Sequence, residues 1–198
     1  IDIALWDIKG KHYQEPVWRL LGGAQNPVPA YVTFGLKQYS KEQLVEVAKQ
    51  LVAQGETRLK MVVAVEPENP KLDAERVRAV RHAVGDEVEL MIDANYLFSF
   101  NRALELCKLV EPCGITWFEE PVYQNDAALL ADLRRHTSIP LAAGQNEGHR
   151  FRHRELIVNH AVDIAQPNVC SVGGYTEAVK VAALAQAFNL PIANGGGW

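Results

Sequence analysis

Residues 90–95 read LMIDAN, residues 115–121 read ITWFEEP and residues 141–148 read LAAGQNEG. Each is a short apolar run closed by a side chain bearing an oxygen ligand: Asp93, Glu119 and Gln145, equally spaced along the chain. Apolar runs this short read as buried strands. An oxygen donor at the same end of each then raises the question of a shared site.

Outward from these three runs the same scheme repeats. VPAYVTF (28–34), RLKMVVAV (58–65), 88–93, 115–119, 140–144, 162–166 and 190–194 are strand candidates. Between them lie amphipathic stretches. Ser40 with Gln43 forms a capping box ahead of Leu44, Val47, Ala48, Leu51 and Val52. Val77, Val80 and Val84 line a helix over about 73–84 that Gly85 stops. Further helices are expected at about 100–111, 125–136, 149–160 and 174–188.

Strand-helix alternation of this length makes parallel sheets with right-handed crossovers. Even spacing, with no GxGxxG or P-loop after the first strand, favours an α/β barrel of the TIM type over a doubly wound sheet. About seven βα units are present. Residues 1–27 read as a helical lead-in, with Ile3, Leu5, Trp6 and Ile8 on one face and Pro16 opening a second short helix closed by Gly22. Residues 28–198 read as a partial barrel.

Bulk composition sets outer limits. With 198 residues, 48% of them hydrophobic, the chain can bury a sizeable core. A net charge of −4 with both signs interspersed offers no field for nucleic acid, and no apolar run approaches the ~18 to 20 residues that span a bilayer. The opening residues lack the features of a signal peptide. Three cysteines, Cys107, Cys113 and Cys170, have neither CxxC spacing nor an even count, which favours a reducing, cytoplasmic setting.

Barrel active sites are built where the strands end. Asp93, Glu119 and Gln145 there would form an all-oxygen site for a hard cation such as Mg²⁺, whereas zinc would want histidine or cysteine. Acidic residues at strand ends also cap helices, and it is the equal spacing that favours a common site. Lys60, in the otherwise apolar LKMVVAV, is a candidate base. Arg58, two residues away on the same face, is expected to lower its pKa.

These motifs resemble the mandelate racemase and muconate lactonizing branch of the enolase superfamily over nearly the whole chain. IDIALWDIKGK and PVWRLLGG stand at the approach to the barrel and RLKM at the KxK motif. MIDAN and WFEEP match two metal-ligand strands, and IAQPN and SVGG surround the sixth strand. The resemblance implies a (β/α)7β barrel in which Mg²⁺ grips a substrate carboxylate and a base takes the α-proton. Carried over, Lys60 is the base, Arg58 its neighbour, Asp93 and Glu119 are metal ligands, and Asn95 lies beside the site. The third ligand, usually glutamate, is Gln145 here, with Glu147 as the alternative. Asn168 and Gly195 stand where a histidine and aspartate pair serves some relatives, which leaves a second acid or base unassigned. A missing N-terminal cap domain, an eighth strand after residue 198 and assembly into a homo-oligomer are also implied.

The expected activity is enolisation of a hydroxy-carboxylate by an acid-sugar dehydratase or a racemase. With one identifiable base, elimination of water is the better supported of the two. Two rivals remain. One is a barrel acting on a phosphorylated substrate, with Lys60 as Schiff base and Gly195 to Gly197 of NGGGW (194–198) holding phosphate. The other is a barrel that binds a ligand without chemistry. His149 and His153, set among Arg150, Arg152 and Arg154, read as a solvated helix start, and Trp117, Phe118, Leu129, Leu130 and Leu133 as core.

Overall fold

Arg58 to Val62 alternates side chains that cannot all face water, and it becomes a strand flanked on both sides. The computed structural model describes residues 1–23 and 27–195. Among them, β1 (Val32–Phe34), β2 (Arg58–Val62), β3 (Glu89–Asp93), β4 (Ile115–Glu119), β5 (Leu141–Ala143) and β6 (Ile164–Ala165) form one sheet in chain order. The pairings from β1 to β5 are all parallel. The expected seventh run contributes only an isolated parallel bridge, Ala165 to Ile192.

The chain divides into two compact units, one of residues 30–143 and 158–164, the other of 1–29, 144–157 and 165–198. In the first, each helix forms for a legible local reason. α3 (Lys41–Ala53) starts at the capping box: Gln43 N–H donates to Ser40 Oγ at 3.2 Å, and Ser40 N–H to Gln43 Oε1 at 2.8 Å. α4 (Pro70–Val84) begins at Pro70, three residues before the expected start, because proline at the first helical position sacrifices no hydrogen bond. α5 (Phe100–Val110) runs into a 3-10 turn, and α6 (Ala127–Arg135) is capped by Asp126, which accepts from the amides of Ala128 and Leu129.

α3 packs on α4 and α4 on α5. Leu44, Ala48, Ala74, Val77, Val80, Leu106, Leu130 and Leu133 are fully buried, each large aliphatic contributing ~1.5 to 3 kcal/mol of transfer free energy. Leu129 falls off the apolar stripe of α6 and is 41% exposed, contrary to its expected place in the core. β2 ends earlier than expected: Ala64 turns to a φ of 57°, and Asp73 of α4 accepts the amides of Ala64 at 3.0 Å and Val65 at 3.4 Å. That carboxylate fixes the loop leaving β2. β1 likewise starts late, at Val32.

The second unit holds α1 (Asp2–Tyr13), α2 (Val17–Leu20), α7 (His149–Val158), α8 (Val169–Val172) and α9 (Tyr175–Ala187). Its core contains Ile157, Ala165 and Ala185, with Leu184 and Leu190 packed against them. α1 is tied to α9 by polar contacts: Asp2 Oδ2 accepts from the Thr176 amide at 3.0 Å, and Trp6 Nε1 donates to Thr176 Oγ1 at 3.0 Å. The apolar face expected on α1 is not buried here, since Leu5 and Ile8 are 60% and 61% exposed. Among the described residues no helix is long and apolar enough to cross a membrane.

Candidate active site

β3 and β4 are in register so that Asp93 stands beside Glu119 at the strand ends. On β2, Lys60 is paired with Met91, two residues short of Asp93 and so about 7 Å down the strand axis. Its four-carbon stem spans that gap. The ammonium lies 2.9 Å from Asp93 Oδ2 and 2.7 Å from Glu119 Oε2, with the three side chains 5%, 5% and 0% exposed.

The surroundings hold the carboxylates in place. The Asn95 amide donates to Asp93 Oδ1 at 2.9 Å, from a residue in the left-handed region at φ 47° that asparagine tolerates. Trp117 Nε1 donates to Glu119 Oε2 at 3.4 Å. Beyond the strand ends, the Ala94 amide bonds Glu119 O and the Tyr96 amide bonds Glu120 O, so the sheet continues past both acids. Glu120, the second acid of WFEEP, is buried and accepts from Asn125 Nδ2 at 2.9 Å. That bond fixes the turn that follows β4.

The expectation that Lys60 has a lowered pKa through Arg58 is overturned. Burial by itself pulls the ammonium down, but Asp93 and Glu119 outweigh it and hold Lys60 well above the usual lysine range. Arg58 is turned away. Its Nε donates to Glu89 Oε2 at 3.0 Å on the half-exposed rim of β2 and β3, opposite its register partner.

Two residues of this cluster lay outside the candidates read from sequence. Tyr31 places its ring 5.2 Å from Lys60 Nζ and edge-on to Trp117 at 5.4 Å. Burial first, and the nearby Glu119 and Asp93, raise its phenol pKa against the opposing pull of Lys60. The signal was in the alternation, because Tyr31 shares parity with Thr33, the register partner of Lys60. Trp117 shares parity with Glu119 and is half-buried as its hydrogen-bond donor, a role beyond core packing.

The remaining candidates belong to the other unit, and each has a local setting there. Gln145 follows β5 and packs closely on Gly195, where an added Cβ would lie 2.5 Å from Gln145 Cβ. Glu147 accepts from Arg152 Nε at 2.9 Å. Asn168 caps α8, its Oδ1 accepting from the Cys170 amide at 2.9 Å. Gly196 and Gly197, the rest of the phosphate alternative, lie outside the described residues.

His153 corrects the solvated reading of its segment. It is 1% exposed, because Gly144 has no Cβ and the imidazole fills that space. Burial, with Arg152 adding to it and Glu147 opposing, pushes its pKa down to about 4.

Among the described residues no three His, Cys, Asp or Glu side chains converge on one metal position. Asp93 and Glu119 nevertheless fit a hard cation, for a cationic ammonium already bridges them.

Residues 43–198 match the model of the enolase C-terminal domain-like family. The chain belongs to that family. Arabinonate dehydratase of Saccharolobus solfataricus is 34% identical over 194 residues, covering 97% of this chain and 52% of the relative. The crystal structure of the 3,6-anhydro-D-galactonate cycloisomerase from Zobellia galactanivorans superposes with a TM-score of 0.91 at 39% identity, covering 99% of this chain and 54% of that one. That of L-talarate dehydratase from Polaromonas sp. JS666, complexed with Mg and L-glucarate, gives 0.90 at 33%, covering 98% and 54%. The chain thus spans about half the length of the curated relatives it matches. The parallel α/β architecture expected from the strand spacing is that of these enolase-family structures.

Proposed function

We propose that the protein carries the catalytic half of a Mg²⁺-dependent enzyme that removes the α-proton of an acid-sugar carboxylate and eliminates water. The observation that carries this reading is the buried cluster of Lys60, Asp93 and Glu119, two carboxylates that suit a hard cation beside a lysine that can take a proton once those carboxylates no longer hold it as their ammonium. When bound, Mg²⁺ supplies the positive charge against which a substrate carboxylate, and the negative charge that develops on it, are held. Asp93 and Glu119 are its proposed ligands, and chain spacing supports Gln145 as a neutral third.

In its neutral form Lys60 accepts the α-proton, the electron pair left behind expels the β-hydroxyl group, and the proton now on Lys60 passes to that oxygen so that it leaves as water. Racemisation would need a base on each face of the substrate. Asn168 is engaged as a helix cap and Gly195 has no side chain, so elimination is favoured over racemisation. The relatives include proteins named as dehydratases as well as cycloisomerases.

The test is incubation of the intact protein in D₂O with Mg²⁺ and a panel of sugar acids. Keto-acid formation and deuterium at the α-carbon are followed together. Lys60→Ala should abolish both. Exchange at a rate comparable to wild type in that variant would assign the base elsewhere.

A further inference from the structure

We propose that Lys60 is an internal counter-ion to Asp93 and Glu119, so that a divalent cation binds these carboxylates only by displacing its ammonium from them. This inference rests on the assignment of those two carboxylates as metal ligands and concerns how that site is filled.

The geometry argues it directly. The ammonium touches both carboxylates at once, 2.9 and 2.7 Å away, and all three side chains are removed from water. Two carboxylates side by side in a buried sheet end would repel each other strongly without a cation between them. Lysine supplies that cation within the fold. The three groups sum to one net negative charge, whereas a divalent ion balances the two carboxylates and makes the ammonium surplus. Lysine and metal also compete for the same oxygens, since Asp93 Oδ2 and Glu119 Oε2 are donors either can use. The Tyr31 ring, 5.2 Å from Nζ, lends the ammonium further support where it is. Arg58, committed to Glu89, is not placed to replace it.

Two consequences follow that ordinary catalysis by Lys60 does not require. Removing the ammonium should strengthen cation binding, although lysine is not a ligand. It should also make the fold depend on the metal, because the carboxylates then have to be neutralised from outside.

The experiment is Mg²⁺ titration of the intact wild type, Lys60→Met and Lys60→Gln by calorimetry, with melting temperatures recorded with and without the ion. Both variants are expected to bind Mg²⁺ about tenfold tighter or more than wild type. Their melting temperatures should rise with Mg²⁺ by a larger amount than wild type's. Folding of Lys60→Met only in the presence of Mg²⁺ would be the same result in its extreme form. Lys60→Gln retains hydrogen-bond donors for both acids and serves where methionine does not fold. Equal or weaker Mg²⁺ affinity in the variants, or melting temperatures with the same Mg²⁺ response as wild type, overturns the counter-ion role while leaving the metal site standing. Absence of Mg²⁺ binding in all three proteins overturns the ligand assignment itself.

Discussion

The imidazole of His153 sits where a side chain on Gly144 would be: a Cβ built on that glycine would lie 2.6 Å from His153 Cε1 and 3.1 Å from Nδ1. Gly144 also holds a φ of 130°, which side-chain-bearing residues rarely adopt. Both constraints act on the residue that links β5 to Gln145. Gly144→Ala should therefore destabilise by ~2 kcal/mol or more. Urea denaturation at neutral pH measures it, and a loss below ~0.5 kcal/mol would mean that the imidazole yields freely.

Arg58 is predicted to matter little. Its partner Glu89 and its own guanidinium are 46% and 38% exposed, and pairs of that kind contribute ~0 to 1 kcal/mol. Arg58→Met should cost less than ~1 kcal/mol and leave α-proton exchange within a few-fold of wild type. A hundredfold loss of exchange with stability unchanged would restore Arg58 as the residue that tunes Lys60.

Much of this could be read from the sequence, where the determinants are local. The Ser40 and Gln43 box, the Gly85 stop and the bounds of β4 depend on neighbours within a turn or a strand, and they came out as expected. The order Lys60, Asp93, Glu119 placed three polar groups on successive strands, two of them at strand ends, and the register with the reach of the lysine brings them together. What the sequence hid was non-local. Whether Lys60 answers to Arg58 or to Asp93 depends on side-chain reach across three strands, and spacing along one strand favoured the wrong partner. His153 was read from its charged neighbours, yet its burial is decided by a glycine just past the end of β5. The run at 190–194 resembled its predecessors in composition but makes only a bridge at Ile192.

The role of Gln145 rests on chain spacing and has a direct test. An amide oxygen contributes no formal charge, so Gln145→Glu should tighten Mg²⁺ binding about tenfold or more, at least ~1.4 kcal/mol, as ligand charge does in hard-cation sites. Gln145→Ala should loosen it. Identical calorimetric affinities in the wild type and both variants would remove Gln145 from the ligand set.

The final prediction concerns acid. His153 has its folded pKa depressed to about 4, below the 6.5 of an ordinary imidazole, because burial disfavours the charged ring. The unfolded chain therefore takes up a proton first as pH falls. Stability from this group is complete above about pH 6.5 and is lost as pH drops toward 4, a loss of roughly 3 kcal/mol at the acid end. Nε2 has no hydrogen-bond partner among the described residues, so the neutral ring gives up little when replaced by a hydrocarbon of similar shape. His153→Phe should then lie within ~1 kcal/mol of wild type at pH 7.5 and be the more stable of the two at pH 4.5. Unfolding free energies measured across that range decide it: parallel curves for the two proteins would show that His153 is not what makes the fold acid-sensitive in this window.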